Sequence, residues 1–108
     1  MDGKIVFAEL EGCDSRQTDS PEYMSGVMKR IAKVCNLTIL KTITHRFEPH
    51  GVSIISMIAE SHVAMHSWPE SGYLSVLIYS CGNTDPEEAL PLIKDMFTHT
   101  EMRYRVLE

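Results

Sequence analysis

The sequence predicts an α+β fold: a two-layer sandwich in which an antiparallel sheet carries two helices on one face, in the order β-α-β-β-β-β-α-β. Three observations lead to this prediction. The chain has 108 residues, 44% hydrophobic and 23% charged, which are the proportions of one globular domain, here residues 1–108. Two segments have apolar residues at helical spacing, and six others have the patterns of strands. The connections between the middle strands are too short for parallel crossovers, so those strands should pair antiparallel.

The first strand and the first helix are separated by a polar segment. Lys4 to Leu10 is predicted to be a strand, and Glu11 to Ser20 a surface loop. Ser20 can cap the helix and Pro21 suits its first position. The apolar residues that follow recur at three and four positions and predict one buried stripe; they are Met24, Val27, Met28, Ile31 and Val34.

Four strands are predicted between the two helices. Asn36 is expected to end the first helix, and two turn segments, 47–51 and 68–72, separate strands rich in β-branched or alternating residues. The predicted strands are Leu37 to Phe47, Val52 to Ala59, His62 to Ser67 and Tyr73 to Ser80. The second of these is apolar enough to lie near the middle of the sheet.

The second helix and the last strand complete the fold. Asp85 and Glu88 have the spacing of a capping box, and Pro86 would occupy the first helical position. Pro91 lacks a backbone donor, so it should kink this helix or delay its start. Met102 to Val106 alternates between apolar and charged residues and predicts a half-buried strand.

Composition excludes several functions. Ten Lys and Arg against fifteen Asp and Glu give a net charge of −5, which disfavours a nucleic-acid partner. Three cysteines form no paired framework and favour a reducing compartment, the cytoplasm. The amino-terminal residues do not resemble a signal peptide, and the longest apolar run is too short to cross a membrane.

His62 and His66 are four residues apart on a predicted strand, where that spacing does not aim both at one metal, so no metal site is expected.

Reactive side chains are concentrated in the middle third of the chain. They are Ser53, Glu60, Ser61, His62, His66, Trp68, Glu70 and Cys81. Each of these residue types has an ordinary structural role when it occurs alone, such as a turn cap, a packed histidine or a small buried thiol. Their combination is more informative than any one of them.

The ordered set of motifs resembles the proenzymes of the small prokaryotic S-adenosylmethionine decarboxylases over nearly the whole chain. The motifs are Ala8-Glu9-Leu10-Glu11-Gly12-Cys13-Asp14, His45-Arg46-Phe47, Pro49-His50-Gly51-Val52-Ser53, Ala59-Glu60-Ser61-His62, His66-Ser67-Trp68-Pro69-Glu70, Ser80-Cys81-Gly82 and Asp85-Pro86. No single motif is specific, but their order and spacing are.

The resemblance implies that the chain cleaves itself between Glu60 and Ser61. This gives a β chain of residues 1–60 and an α chain of residues 61–108, with Ser61 converted into a covalent pyruvoyl group. His66 corresponds to the histidine that moves a proton during cleavage, a task that suits imidazole. Ser53 corresponds to the serine that hydrogen-bonds the tetrahedral species.

The resemblance also assigns roles in decarboxylation, a step of polyamine and spermidine biosynthesis. The pyruvoyl ketone condenses with the substrate α-amine and accepts electrons from the departing carboxylate. Cys81 corresponds to the proton donor, and a thiol with an ordinary pKa of about 8.5 is mostly protonated at neutral pH. Phe47 corresponds to an aromatic that stacks on adenine and Glu70 to a carboxylate that holds the ribose, with Trp68 beside the same pocket.

Some positions differ from the pattern of the family. They are Glu48, Ile54, Ser71, Leu77 and Ser80. Several lie near the expected pocket, and Glu48 could face a cationic side chain, so a pyruvoyl-dependent arginine or ornithine decarboxylase is an alternative. A catalytically inactive regulatory homologue is a second alternative. The resemblance implies a dimer, and a sheet with helices on one face only also leaves an apolar face that needs a cover.

Overall fold

The computed structural model of the chain describes residues 3–108 and confirms the predicted α+β sandwich. The strands are β1 (Gly3–Glu11), β2 (Ile39–Arg46), β3 (Val52–Ile58), β4 (Ser61–Trp68), β5 (Tyr73–Cys81) and β6 (Glu101–Leu107). The helices are α1 (Ser15–Thr18), α2 (Pro21–Val34) and α3 (Ala89–Met96), with a 3₁₀ turn at Pro86–Glu88 before α3. All strands pair antiparallel in the order β2-β3-β4-β5-β1-β6. Residues 1 and 2 of the predicted domain lie outside the described residues.

Helix α2 begins and ends where the sequence predicts. The Ser20 Oγ accepts a hydrogen bond from the Tyr23 backbone N–H at 3.1 Å, and Pro21 is the first helical residue. Asn36 follows the helix with a φ of 59°, and the Leu37 N–H then donates to the Ala32 carbonyl at 2.7 Å. This is the pattern of a Schellman cap, which satisfies the last carbonyls of the helix.

The predicted surface loop at Glu11 to Ser20 is wrong in part, because it contains the short helix α1. Asp14 caps this helix by accepting from the Arg16 N–H at 2.9 Å. Thr18 at its end is fully buried. The segment is polar and only four residues are helical, so it shows no apolar periodicity that could have revealed the helix.

The second predicted helix starts late, as Pro91 suggests. Asp85 caps the 3₁₀ turn through a bond from the Glu87 N–H at 3.0 Å, in place of the predicted pairing with Glu88. Helix α3 then begins at Ala89, so Pro91 falls in its first turn, where a backbone N–H has no helical acceptor anyway.

The two faces of the sheet differ in what covers them. One face packs against α2 and α3 and forms the core, which includes Cys13 and Cys35. Burial raises the pKa of both thiols to about 11. The opposite face, here called the open face, carries large apolar side chains that are 44% to 65% exposed: Ile43, Ile55, Met57, Trp68 and Leu107. Within residues 3–108, no helix is long and apolar enough to cross a membrane.

Candidate active site

The hairpin between β3 and β4 holds the predicted cleavage bond. Ala59 and Glu60 form a two-residue turn between the paired residues Ile58 and Ser61. Glu60 has a φ of 72°, a left-handed conformation that costs a residue with a side chain about 1–2 kcal/mol. The Ser61 Oγ donates to the Glu60 carbonyl oxygen at 2.6 Å. The hydroxyl therefore lies against the carbonyl that it would attack.

Cys81, at the end of β5, contacts the same carbonyl. Its Sγ lies 3.5 Å from the Glu60 carbonyl oxygen and 3.5 Å from the Ser61 Oγ. The Glu60 carboxylate is also near, with its Oε2 at 3.8 Å from the sulfur. These three residues are called the Ser61 cluster below. The structure thus brings the predicted proton donor to the predicted source of the pyruvoyl group.

Ser53 and His66 form a second cluster on the open face. They are cross-strand partners on β3 and β4, and the Ser53 Oγ lies 2.6 Å from the His66 Nδ1. This bond fixes the ring and leaves Nε2 as the nitrogen that can exchange a proton with another group. The two side chains to which the family resemblance gives roles in self-processing therefore do meet.

The two clusters do not meet within one chain. Ser61 and His66 are five residues apart on the same strand, which separates them by roughly 16 Å at about 3.3 Å per residue. Within one copy of the chain, Ser61 with Cys81 and Ser53 with His66 therefore form two separate clusters. Each copy carries two partial sites on one sheet.

The predicted substrate aromatics lie near the Ser53–His66 pair. The Trp68 ring centre is 6.3 Å from that of His66 and 5.3 Å from that of Tyr73. Phe47 follows β2 and packs edge-on against His45, with ring centres 4.5 Å apart. Both Phe47 and Trp68 are close to half exposed, so their ring faces are available to a ligand.

The two glutamates considered as substrate-binding residues have different surroundings. Glu70 is exposed and lines a cavity of about 210 Å³ that it shares with Ser15, Asp19, His50 and Pro69. Glu48 is 89% exposed, and its Oε1 lies 3.6 Å from the Arg46 guanidinium. Its charge is already paired within the chain, which disfavours the role of a receptor for a cationic substrate.

Of the positions that differ from the family, Ser80 is the unusual one. Its Oγ is buried and is the one such side-chain polar atom in residues 3–108 that has no hydrogen-bond partner. Ser80 lines a cavity of about 740 Å³ together with Cys81, Lys4 and Asp85. Ile54 is a core residue, and the Ser71 Oγ donates to the Trp68 carbonyl at 3.2 Å.

Two polar networks were not predicted from the sequence. In one, Glu9 accepts hydrogen bonds from the Tyr73 hydroxyl and from Arg103. The tyrosine bond is the main cause that lowers the Glu9 pKa, whereas desolvation and then the Glu9 bond raise the Tyr73 pKa to about 12. In the other, Asp19 binds the loop between β2 and β3. Both networks join residues distant in the chain, so no local pattern reports them.

The histidines and cysteines do not gather into a metal site in the part of the chain that the structure describes. No group of three or more His, Cys, Asp or Glu there could hold a metal ion. His62 and His66 lie about 13 Å apart along β4, at about 3.3 Å per residue.

The fold and the site define a class of protein: a small two-layer α+β sandwich in which the hydroxyl of a serine, at the start of a strand, contacts the carbonyl of the residue before it. A family model described as S-adenosylmethionine decarboxylase matches residues 4–108. The chain belongs to the S-adenosylmethionine decarboxylase family.

Curated relatives agree with this family. The chain is 41% identical over 96 residues to the S-adenosylmethionine decarboxylase proenzyme of Parasynechococcus marenigrum (strain WH8102), with 88% of this chain and 75% of the relative covered. It is 36% identical over 94 residues to the proenzyme of the same name from Methanococcus aeolicus, with 86% and 80% covered.

Solved structures support the same fold. The crystal structure of the adenosylmethionine decarboxylase from Aquifex aeolicus matches with a TM-score of 0.89 and 28% identity over 98% of this chain and 88% of that one. The Trypanosoma brucei AdoMetDC-delta26 monomer matches with a TM-score of 0.71 at 13% identity, over 97% of this chain and 45% of that one. At that identity, the second match supports the fold alone.

Proposed function

We propose that this chain is a self-processing carboxy-lyase that decarboxylates S-adenosylmethionine with a pyruvoyl group made from Ser61. The product would serve polyamine biosynthesis. The observation that carries the proposal is the 2.6 Å contact between the Ser61 hydroxyl and the Glu60 carbonyl in a strained turn. Family membership gives the reaction class, and this contact supports Glu60–Ser61 as the bond that breaks.

Self-cleavage needs three operations at this bond. The Ser61 Oγ attacks the Glu60 carbonyl carbon, and the peptide C–N bond breaks as an ester C–O bond forms. A base then removes the Ser61 Cα proton, so that residue 60 leaves as a carboxylate. Water finally replaces the nitrogen of residue 61 and ammonia departs. The left-handed φ of Glu60 favours cleavage overall, because residue 60 becomes a chain end when the ester breaks and the strain is then relieved.

The residues around Ser61 fit a pyruvoyl group. Such a group supplies an electron-accepting ketone that takes up the electrons released when a carboxylate leaves an α-amino acid. The Cys81 thiol lies 3.5 Å from the Ser61 Oγ, so it can deliver a proton to a substrate carbon held there. Phe47 and Trp68 would bind the adenine and the sulfonium, since a cation is attracted to aromatic faces, and Glu70 would hold the ribose hydroxyls.

The separation of the two clusters supports a dimer in which each site is shared. His66 of one copy is too far from its own Ser61 to move the proton on Cα. By strand register the Ser53–His66 pair and Cys81 lie on the open face, whose exposed apolar side chains would be covered by a second copy. We therefore propose that the Ser53–His66 pair of one copy completes the Ser61 cluster of the other.

The alternatives are less well supported. An arginine or ornithine decarboxylase would need a carboxylate for the distal cation, and Glu48 is paired with Arg46. An inactive regulatory homologue would not need Ser61 against its carbonyl or a Ser53–His66 hydrogen bond. Cys13, Cys35 and Cys81 are free thiols, which supports a reducing location such as the cytoplasm for this domain of residues 1–108.

Intact-mass measurement and a CO2-release assay test the proposal together. The purified protein should consist of residues 1–60 and a remainder that begins with a pyruvoyl group at position 61. It should release CO2 from S-adenosylmethionine, and not from arginine or ornithine. Ser61→Ala should stay a single inactive chain. Decarboxylation by an uncleaved chain would refute the mechanism.

A further inference from the structure

Asp19 lies between α1 and α2 and binds the loop that joins β2 to β3. One carboxylate oxygen, Oδ1, accepts from the Gly51 backbone N–H at 2.8 Å. The other, Oδ2, lies 2.9 Å from the Arg46 guanidinium and 3.5 Å from the His50 Nδ1. The side chain is only 20% exposed. One carboxylate therefore holds both ends of a short loop that is 27 residues or more away in the chain.

The same loop presents Phe47. The Phe47 N–H donates to the Gly51 carbonyl at 2.8 Å, and its own carbonyl accepts from Arg46 at 3.1 Å. Arg46 and Gly51, which hydrogen-bond to the Phe47 backbone, are therefore the same two residues that Asp19 binds. The phenyl ring is close to half exposed and packs edge-on against His45, and the backbone of the loop sets where the ring lies.

The loop has little freedom to move away from Asp19. Gly51 has a φ of 114°, which only glycine adopts without strain, and a Cβ there would lie 3.2 Å from the Ser67 carbonyl oxygen. The buried Ser67 hydroxyl accepts from the Val52 N–H at 3.0 Å and donates to the Thr18 carbonyl at 2.7 Å. This second link ties the start of β3 to the end of α1, next to Asp19.

The charge on Asp19 is held in the ionised form. The Gly51 N–H, and then the Arg46 guanidinium, keep the Asp19 pKa below its usual range. At neutral pH the carboxylate therefore gives two charge-assisted contacts to the loop, and such bonds are stronger than bonds between neutral groups.

We infer that Asp19 is a positioning residue for substrate binding, which fixes the Arg46–Gly51 loop so that Phe47 meets the adenine ring. The inference rests on the proposed function, since it takes Phe47 as a substrate contact. Asp19 also lines the small cavity that contains Glu70, so the same carboxylate borders both groups proposed to hold the nucleoside. Its polar contacts are with Arg46, His50 and Gly51 and not with the Ser61 cluster or the Ser53–His66 pair, so cleavage and turnover of bound substrate should not depend on it.

Asp19→Ala and Asp19→Asn test this inference. We expect Asp19→Ala to raise KM for S-adenosylmethionine by roughly tenfold, with kcat within about twofold and with self-cleavage at the wild-type rate. Asp19→Asn keeps an acceptor for the Gly51 N–H but loses the charge, so its KM should lie between those of the wild type and Asp19→Ala. Adenosine binding, measured by calorimetry, should weaken in the same order without any need for turnover. Hydrogen exchange at residues 46–52 should become faster.

Asp14→Asn is the matched control. Asp14 also pairs with an arginine at 2.9 Å, its side chain is 23% exposed, and it lies only five residues away, but it does not contact the loop. Asparagine is also a good helix cap, so α1 should persist. This control should leave KM, adenosine binding and exchange at residues 46–52 unchanged.

The outcomes are distinct. A wild type that neither cleaves nor releases CO2 would defeat the proposed function. An active wild type in which Asp19→Ala loosens the loop but keeps KM and adenosine affinity would overturn the inference. A loss of kcat at unchanged KM, or equal effects in Asp14→Asn, would overturn it too.

Discussion

The Sγ atom of Cys81 and the Oγ atom of Ser61 lie 3.5 Å apart, although the residues are 20 positions apart in the chain. The pairing of β4 with β5 creates this contact, because His62 opposite Tyr79 places the start of one strand beside the end of the other. Backbone register therefore brings the residue proposed as the proton donor next to the residue proposed to become the pyruvoyl group.

Substitution of Cys81 should separate cleavage from turnover. Cys81→Ala keeps Ser61 against the Glu60 carbonyl, so we expect some cleavage by intact mass. General-acid catalysis contributes about 10²–10⁴-fold, so CO2 release per cleaved site should fall within that range. Cys13→Ala is the control, because Cys13 is a core thiol away from the cluster. Full turnover by Cys81→Ala would remove this residue from the mechanism.

Mixing two inactive variants tests the shared site. Ser61→Ala retains the Ser53–His66 pair, and His66→Ala retains the Ser61 cluster. In a mixed dimer one complete site can form, so the His66→Ala chain should be cleaved after co-refolding, as detected by its intact mass. The Ser61→Ala/His66→Ala double variant supplies no pair and should not rescue it. Equal results with both partners would show that no second copy contributes.

The sequence predicts the sheet well because each strand has its own pattern and each turn its own residues. Ser20, Asn36 and Pro91 act within a few positions of themselves, so their effects on α2 and α3 follow from local rules. The helix α1 has no such signal. Its place is set by Thr18, which is buried by contacts with distant residues.

The site is harder to predict, because it depends on which strands are neighbours. The motifs identify Ser61, His66 and Cys81 as a set but do not say which of them meet in one chain. Strand geometry alone separates Ser61 from His66, since five residues of a strand span roughly 16 Å. The binding of Asp19 to the β2–β3 loop depends on a contact between residues 27 positions apart, and no local sequence pattern indicates it.

Ser80→Ala should increase stability. The Ser80 Oγ is buried without a partner, and such a group costs about 1–3 kcal/mol relative to one that is paired or absent. In the Ser61→Ala background, where every chain stays intact, we expect the free energy of unfolding to rise by about 1 kcal/mol in urea titration. The comparison must hold protein concentration fixed, because association stabilises the folded state.

The control for this measurement is Ser67→Ala. Ser67 is also buried, but its Oγ is hydrogen-bonded to Val52 and Thr18, so loss of the hydroxyl leaves a donor and an acceptor unpaired. The free energy of unfolding should fall by about 1–3 kcal/mol in this variant. A loss of stability in Ser80→Ala as well would mean that the Ser80 hydroxyl has a partner in solution.

Glu70 and Glu48 should differ in their effect on substrate use. A carboxylate that holds the ribose hydroxyls through charge-assisted bonds contributes about 1.5–3 kcal/mol, so Glu70→Gln should lower kcat/KM for S-adenosylmethionine by roughly ten- to a hundredfold. Glu48 is 89% exposed and lies 3.6 Å from the Arg46 guanidinium, which Asp19 also binds, so Glu48→Gln should change kcat/KM by less than about twofold. The two variants make the same chemical change in exposed residues of neighbouring turns, and each therefore controls for the other.

Steady-state CO2 release over a range of substrate concentrations gives the kcat/KM of both variants. The reverse order, together with release of CO2 from arginine or ornithine, would move the substrate assignment to a basic amino acid, and negligible effects from both would remove Glu70 from the pocket.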